Sequence, residues 1–403
     1  MKLAFVLFRY FPFGGMQRNM MSIATACLEK GHDVEVICSE WLGQFPSDFF
    51  PSNFKITRLG IQEDRHSKIK SKSNGNQMED FFRAFSDFRK IHQYDCVVGF
   101  NKFPNLDAYY AADSCFATKA FEERSWFYRL TKRAKLYLEY EKSVFNRQGE
   151  TVILEVSNKE REQFQTYYQT PSERFVTLPP GISKNRIAKE SAKAIGEVKR
   201  KSLAKELNID EDQTIFLAIG SGFKTKGLER SIQLVADIMS SGITMSPVLL
   251  VAGQDKANAF IRLAKKLGVV DRIKFLGGRD DVPDLLQAAD VVLHPAHKEN
   301  TGNVLLEAMV AGRPVVTTDV CGYAHYVEGA DMGIVIQKPF TQKQYLDAVE
   351  QVLATNDSVW RERGKAFSKN EEIYSRPEFV AKVLEDIGVT LNPSDNNKLG
   401  KVL

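Results

Sequence analysis

The sequence of 403 residues has no run of about 18–20 apolar residues, the length that a helix needs to cross a bilayer. Its five cysteines are scattered, without a CxxC pair or a cysteine–histidine cluster, which argues against a disulfide framework and a structural zinc site. Basic residues exceed acidic ones by only four, 55 against 51, so extensive nucleic-acid binding is not expected. These absences favour a soluble protein of a reducing cytoplasm that binds no nucleic acid.

What the chain does have is a regular alternation of short apolar runs and amphipathic stretches along most of its length. Near-continuous β-branched and aromatic runs are typical of parallel strands covered on both faces by helices. Two successive halves with this rhythm predict an α/β fold of two doubly wound, Rossmann-like parallel sheets facing an interdomain cleft. Such sheets bind ligands at the carboxyl ends of their strands, so a site is expected in the strand-end loops.

Strands are predicted at residues 2–8, 33–39, 53–59, 96–101, 151–157 and 175–178, and again at 214–220, 247–253, 272–276, 290–294, 314–317 and 333–336. The segment Leu178-Pro-Pro-Gly-Ile182 stiffens the exit from the first half, so we place a first domain at residues 1–181 and a second at 182–375. A lysine-rich helix is predicted over Lys184–Leu207. A C-terminal helix over residues 376–391 is expected to pack back on the first domain, followed by a disordered tail over 392–403.

The first predicted strand runs into the segment Phe11-Pro-Phe-Gly-Gly-Met-Gln-Arg18. Glycines between a strand and a helix let the backbone approach an anion, and the first amides of the helix point toward it. Gly14 and Gly15 are therefore candidates for phosphate binding. A tight turn that requires positive φ explains the same pair equally well.

The strand at residues 214–220 ends in Ser221-Gly-Phe-Lys-Thr-Lys-Gly-Leu228, directly before a predicted helix. The segment lacks the P-loop pattern GxxxxGK[ST]. It still places Lys226 beside a glycine at the start of a helix, where a point charge and the helix dipole can hold a pyrophosphate. A solvated loop lysine is the alternative interpretation.

The segment HPAHKENTGNVLLEAMVAG carries the strongest signal. Glu299 falls in the loop after a strand, and Glu307 falls in the helix that begins near Asn303. Gly302, Asn303 and Val304 offer free amides at the helix N-terminus, which can hold a phosphate, and the two carboxylates can accept hydrogen bonds from sugar hydroxyls. Because an unpaired carboxylate in an otherwise apolar helix is costly, a pair of ordinary surface acids explains the pattern less well.

These features resemble the retaining glycosyltransferases of family 4 (GT4), which have the GT-B fold. The spacing of Glu299 and Glu307, the Pro-Phe-Gly-Gly loop and the Lys226-Gly227 turn carry the resemblance, which extends over nearly the whole chain. Further strings resemble the members that glucosylate the lipopolysaccharide core: Tyr10-Phe-Pro-Phe-Gly-Gly15, Gly99-Phe-Asn-Lys102, Leu178-Pro-Pro-Gly-Ile182, Gly253-Gln-Asp-Lys256 and Cys321-Gly-Tyr-Ala-His-Tyr326.

The resemblance implies roles for the matching residues of the second domain. Glu307 would bind the ribose hydroxyls of a UDP-sugar, and Glu299 would contact the hydroxyls of the donor hexose. The amides of residues 302–304 would lie near the distal phosphate. Lys226, with Arg186 as a second cation, would neutralise the departing diphosphate. None of these motifs requires a metal ion, so we expect no metal and no cofactor besides the UDP-glucose substrate.

The resemblance also implies that Gly14 and Gly15 close the phosphate side from the first, acceptor-binding domain. Arg279 would lie beside the uracil and act through backbone groups. The sequence departs from the family at two places. Ser221 follows Gly220 where many members have Gly-Arg, and Asn19 stands where the nearer relatives have aspartate, so an acidic role there is lost or carried elsewhere.

Two polar residues at strand ends of the first domain, Lys102 and Asp113, are candidates for contact with the acceptor. For Asp113, a helix cap is the favoured interpretation. A single basic amphipathic helix is predicted over Lys119–Arg147, with eight basic, four acidic and seven aromatic residues. Such a helix can lie on an anionic bilayer, each base contributing about 1 kcal/mol, or it can bury its aromatic face in the domain. A lipid-linked acceptor favours membrane contact.

The resulting hypothesis is a hexosyltransferase on the cytoplasmic face of the inner membrane, which transfers glucose from UDP-glucose to a heptose of the lipopolysaccharide inner core. The resemblance implies retention of the anomeric configuration. No residue stands out as a nucleophile, which favours a front-face reaction. Two alternatives remain open: a GT4 transferase with another nucleotide sugar or glycolipid acceptor, and a non-catalytic, membrane-associated scaffold that binds nucleotide sugars.

Overall fold

The structure is a computed structural model that describes residues 1–12, 14–43, 51–60, 74–242 and 244–391. It divides into two compact units, one comprising Met1–Pro179 and the residues from Ser375 onward, the other Pro180–Tyr374. The division therefore falls at Pro179–Pro180, beside the predicted boundary at residue 181. The tail predicted to be disordered, residues 392–403, lies outside the described residues.

The first unit is built on a parallel sheet of seven strands in the order β3-β2-β1-β4-β5-β6-β7. The strands are β1 (Lys2–Tyr10), β2 (Asp33–Trp41), β3 (Phe54–Arg58), β4 (Cys96–Gly99), β5 (Ala108–Ala111), β6 (Val152–Glu155) and β7 (Phe175–Thr177). The central strand β1 is buried between two apolar layers because Leu3, Phe5 and Leu7 pack to one side and Ala4 and Val6 to the other. Strand β5 was not predicted, since its four residues include two alanines, which have low β-propensity.

Among the residues that the structure describes, the helices of the first unit that precede the second unit are α1 (Gly15–Glu29), α2 (Asn74–Ile91), α3 (Phe116–Thr118), α4 (Lys132–Phe145) and α5 (Arg161–Tyr168). The prediction of one helix over residues 119–147 is wrong. A π-helical turn at Lys119–Glu123 and a 3-10 turn at Trp126–Leu130 precede α4. Arg124 has an extended backbone that ends the first turn, and Thr131 caps α4 by accepting a hydrogen bond from the Ala134 amide.

The second unit has a parallel sheet of six strands in the order β10-β9-β8-β11-β12-β13. The strands are β8 (Thr214–Ile219), β9 (Pro247–Ala252), β10 (Ile273–Gly277), β11 (Val291–His294), β12 (Val315–Thr318) and β13 (Gly333–Ile336). The helices are α6 (Ala192–Leu207), α7 (Leu228–Ser240), α8 (Asn258–Lys266), α9 (Val282–Ala288), α10 (Asn303–Val310), α11 (Ala324–Gly329), α12 (Gln342–Ala354) and α13 (Asp357–Phe367). The lysine-rich helix α6 begins eight residues later than predicted, because a 3-10 turn at Lys184–Arg186 and an extended Ile187 come first.

The last described helix, α14 (Arg376–Leu391), belongs to the first unit and packs against α1. Its first residue, Arg376, is almost completely buried and donates hydrogen bonds to the carbonyl of Pro179 and the hydroxyl of Tyr110. Glu385 accepts hydrogen bonds from Lys30 and His32. The last described residues of the chain therefore belong to the same unit as the first. Within the described part of the chain, no helix combines the length and the apolar character that a membrane span requires.

Candidate functional site

The order of strands in the second sheet locates the site. From β8 the chain winds outward through β9 and β10, and it then returns to the other side of β8 to form β11, β12 and β13. At such a reversal the loops that follow the two central strands diverge and leave a crevice outside the carboxyl ends. The loops after β8 and β11 carry Lys226 and Glu299, so the topology brings together residues 73 positions apart in the sequence.

Lys226 lies in the turn between β8 and α7. Gly227 ends this turn with a φ of 71° and caps α7, and a Cβ atom there would lie 2.0 Å from the carbonyl oxygen of Pro295. The side chain of Lys226 passes over Gly220 and donates from Nζ to Oε2 of Glu299 at 2.6 Å. The predicted phosphate cation is therefore paired with the predicted hexose carboxylate.

Glu299 is a strongly shielded carboxylate with two basic partners, Lys226 and His294. Oε2 accepts from Lys226 and lies 3.3 Å from Nε2 of His294, the last residue of β11. Burial alone would raise the pKa of Glu299, but the hydrogen bond from His294 and the charge of Lys226 hold it well below its usual range. The carboxylate is consequently charged at neutral pH and suited to accept hydrogen bonds from hydroxyl groups.

Helix α10 supplies the amides between the two acids. Gly302 precedes it with a φ of 90°, and no side chain caps its N-terminus. The first amides of an uncapped helix have no partner within it and attract anions. Among the residues that the structure describes, nothing forms a hydrogen bond with the buried Oδ1 of Asn303. The N-terminus predicted at Gly302, Asn303 and Val304 is thus present as a set of open polar groups.

Glu307 lies one turn into α10 and is only 8% exposed. Its Oε2 is 3.9 Å from Nε of Arg186, which ends the 3-10 turn after the Pro-Pro-Gly segment. The structure therefore brings together all seven second-unit candidates of this edge, in two cation–carboxylate pairs and one helix N-terminus. Such an arrangement presents cations to an anion and carboxylates to hydroxyl groups at the same place.

Arg279 lies after β10 and uses its side chain within the protein. It forms two hydrogen bonds with Asp281, at 2.8 and 2.6 Å, and one with Glu206 at 3.1 Å. The hydrogen bond from Arg279, with a further one from Lys199, holds the pKa of Asp281 well below its usual range. This network fixes the loop after β10, and it leaves only the backbone of Arg279 for the expected contact with a base.

In the first unit, Gly14 and Gly15 occupy the turn from β1 to α1, but neither has positive φ. The alternative of a tight turn requiring such a conformation is therefore wrong. Gly14 is extended, with φ and ψ of −78° and 132°, and a Cβ atom there would collide with Gln17 and Phe11. The space around Gly15 is open to a distance of 4 Å. Gly14 therefore makes room in the turn without a special backbone conformation, whereas Gly15 is the first residue of α1 and has open space beside it.

Lys102 and Asp113 differ in their surroundings. Lys102 donates to the fully buried Glu141 of α4 at 2.5 Å and to the carbonyl of Ser114 at 2.8 Å. Glu141 also accepts from the amides of Phe116 and Ala117, so Lys102 has a structural partner. Asp113 is exposed and does not cap a helix, since α3 begins after Cys115 and no side chain caps it. The interpretation of Asp113 as a helix cap is therefore wrong.

Two residues beside Glu299 were not predicted from the sequence. His294 and Cys321 are both 2% exposed, and each shifts the pKa of the other. The backbone at Cys321 also forms a bridge with that of Glu299. The available signal was positional: a histidine at the carboxyl end of a central strand, five residues before a functional acid, belongs at the edge where these sheets bind ligands.

Comparison with known proteins identifies the family. The family model "Glycosyltransferase Family 4" matches residues 13–186, and "Glycosyl transferases group 1" matches residues 199–372. The chain is 39% identical over 386 residues to the lipopolysaccharide glucosyltransferase WaaG of Escherichia coli K12, covering 95% of this chain and 98% of the relative. The chain belongs to the group 1/family 4 glycosyltransferases.

The fold of this glycosyltransferase agrees with that assignment. A crystal structure of WaaG matches it with a TM-score of 0.83 at 38% identity, covering 95% of this chain and 99% of the other. Alr3699/HepE of Anabaena, solved with UDP-glucose, matches over 100% of both chains with a TM-score of 0.60; at 17% identity this shows the fold alone. The predicted class of two doubly wound parallel sheets, of GT-B type, is confirmed, and so is the prediction of a hexosyltransferase.

The turn that carries Lys226 offers a test of the site's backbone. Gly222 and Gly227 both have positive φ, but only Gly227 faces a backbone oxygen where a Cβ would be. We expect Gly222→Ala to lower the free energy of unfolding by about 1–2 kcal/mol, the cost of the left-handed conformation. Gly227→Ala should cost at least about 2 kcal/mol more, because the collision adds to the same backbone strain. Urea denaturation measures both, and equal losses would contradict the packing described for this turn.

Proposed function

We propose that this glycosyltransferase transfers glucose from UDP-glucose to a heptose of the lipopolysaccharide inner core. The observation that carries the proposal is the pairing of Lys226 with Glu299 and of Arg186 with Glu307 around an uncapped helix N-terminus. The relative in Escherichia coli is a lipopolysaccharide glucosyltransferase similar over 95% of this chain. The first unit then provides the acceptor side and the second unit the donor side.

The donor would bind by exchange of these ion pairs. The diphosphate takes Lys226 and Arg186 as its cations and the amides of residues 302–304 as hydrogen-bond donors. The carboxylates of Glu299 and Glu307 are then free to accept hydrogen bonds from the hexose and ribose hydroxyls, respectively. Each of these four charged groups thus has a partner on the donor, which limits the cost of opening the two pairs.

The chemical step follows from the same arrangement. The bond between the anomeric carbon and the diphosphate oxygen breaks, and negative charge develops on the leaving group beside Lys226, Arg186 and the helix N-terminus. An acceptor hydroxyl oxygen attacks from the same face, with its proton passing to the departing phosphate oxygen, so the anomeric configuration is retained. Glu299 orients the hexose and does not attack it. No step in this scheme requires a metal ion or a further cofactor.

A turnover assay with Lys226→Ala tests the proposal. Loss of the cation at the leaving group should lower kcat for glucose transfer from UDP-glucose to a heptose-terminated core acceptor by on the order of a hundredfold. Lys224→Ala is the matched control, because Lys224 is exposed in the same turn. Release of UDP without a requirement for Lys226 would overturn the assigned role. Turnover with a different UDP-sugar, and none with UDP-glucose, would show that glucose is not the sugar transferred. Binding of UDP-glucose without any turnover would support the alternative of a non-catalytic scaffold.

We also propose that the segment between α3 and α4 lies on the membrane surface. Four of its large apolar side chains are exposed, among them Trp126 at 56% and Phe127 at 62%, with Phe121 and Leu130 as the others. Exposed Arg133 and Lys135 follow at the start of α4. Aromatic side chains next to basic ones suit the boundary between headgroups and acyl chains of an anionic bilayer. A lipid-linked acceptor would be met at that surface, on the cytoplasmic side.

Vesicle binding tests the membrane surface. Trp126→Ser with Phe127→Ser should weaken binding to anionic vesicles at least about tenfold, since burial of each aromatic side chain contributes more than 1 kcal/mol. Ile91→Ser is the control, because Ile91 is 78% exposed elsewhere in the same unit. Replacing Lys132, Arg133 and Lys135 with Gln should remove much of the salt dependence. Sedimentation that is unaffected by these changes and by salt would rule the surface out.

A further inference from the structure

His294 is a buried titratable side chain that the reaction scheme above does not use. It ends β11 at the centre of the second sheet, is 2% exposed and lies with Nε2 3.3 Å from Oε2 of Glu299. It also interacts with Cys321, whose sulfur lies 3.2 Å from the Thr317 hydroxyl. Because an ionised carboxylate only accepts hydrogen bonds, the contact with Glu299 requires that Nε2 carry a proton.

Three charged or titratable groups face this imidazole: Glu299 from the loop after β11, Cys321 from the loop after β12 and Lys226 from the turn before α7. Burial alone would lower the pKa of His294, but its hydrogen bonds with Cys321 and Glu299 raise it above the ordinary value despite the charge of Lys226. Burial alone would raise the pKa of the Cys321 thiol, and the hydrogen bond and charge of His294 instead bring it below its ordinary value. The surroundings of the imidazole therefore favour its charged form.

A charge on His294 would matter when the donor displaces Lys226 from Glu299. When a diphosphate takes Lys226, Glu299 loses the cation that lies 2.6 Å from its Oε2 atom. A buried carboxylate without a counter-charge costs several kcal/mol, which would oppose donor binding. Nε2 of His294 contacts the same carboxylate oxygen, Oε2 of Glu299. Because His294 belongs to a central strand, this contact can remain when Lys226 moves to the diphosphate.

We propose that His294 is a positioning residue of the donor site, charged in the working enzyme, which remains paired with Glu299 after Lys226 has turned to the diphosphate. It holds Oε2 and thereby leaves Oε1 for the sugar: among the described residues, the hydrogen bonds of this carboxylate go to Oε2. This inference rests on the donor site proposed above.

Calorimetric titration of UDP into the full chain carrying His294→Gln is the central experiment. Glutamine can still donate a hydrogen bond but carries no charge, so we expect the Kd for UDP to rise about tenfold or more. Binding should now take up protons near pH 7, because the buried Glu299 becomes protonated as Lys226 leaves it. Proton uptake is measured from the dependence of the binding enthalpy on the ionisation enthalpy of the buffer. His297→Gln is the matched control. His297 lies three residues after His294, is exposed and pairs with Glu229.

The pH dependence gives a second readout. In the unaltered protein, UDP affinity should fall as pH rises through the raised pKa of His294, because the counter-charge is lost. This fall should be absent in His294→Gln. A double-mutant cycle with Glu299→Gln should show coupling: once the carboxylate is gone, His294→Gln should have no further effect on UDP affinity. Melting temperatures of all variants identify any that fails to fold, and Cys321→Ser, which retains a hydrogen-bonding group, provides an independent perturbation of the ring.

The outcomes separate this inference from the proposed function. If Glu299→Gln impairs glucose transfer but His294→Gln binds UDP with unchanged affinity, pH dependence and proton uptake, His294 is a structural residue and the inference is wrong. If Glu299→Gln leaves kcat/KM for UDP-glucose unchanged, the donor-site role of Glu299 itself fails. Additive effects of the two substitutions would likewise exclude a shared function.

Discussion

A carboxylate withdrawn from water must keep a cation or several hydrogen-bond donors beside it, and this requirement organises the second unit. Glu299 and Glu307 are both shielded, and each has a basic partner from a distant part of the chain, Lys226 and Arg186. Neither acid could occupy its position at reasonable cost without that partner. The fold meets the requirement by placing the turn after β8, the loop after β11 and the segment that follows Pro180 at one edge of the sheet.

The same requirement connects the structure to its proposed reaction. The cations that balance the two acids are the groups that a diphosphate needs, and the acids are the groups that sugar hydroxyls need. Donor binding is then a rearrangement of existing charge. Preorganised charge of this kind lowers the barrier to leaving-group departure because little reorientation remains to be done. A buried histidine beside Glu299 fits the scheme as the partner that stays in place when Lys226 leaves.

The sequence predicted the regular parts of this molecule well, for identifiable reasons. Continuous apolar runs such as residues 247–253 are unambiguous as buried parallel strands, and β9 spans Pro247–Ala252. The site edge followed from the topology, since functional loops of doubly wound sheets follow their strands. Motif spacing identified Glu299, Glu307 and Lys226 as candidates, but it did not show that Glu299 and Lys226 pair with each other.

What the sequence could not provide depended on contacts distant in the chain. Lys102 was a candidate for the acceptor, yet it is paired with Glu141, 39 residues away, a contact that no local pattern encodes. The segment after α3 reads as one amphipathic helix, but the extended backbone at Arg124 and the cap at Thr131 divide it. His294 carried no motif of its own. Its significance arises only from the acid and the thiol that the fold places against it.

The measurement that tests the account most directly is a crystal structure of the chain with UDP. The account predicts the ribose hydroxyls on Glu307, the distal phosphate on the amides of residues 302–304, and Lys226 moved from Glu299 to the diphosphate. Binding of UDP at another edge of the second unit, or with the Lys226–Glu299 pair intact and the helix N-terminus unused, would contradict it.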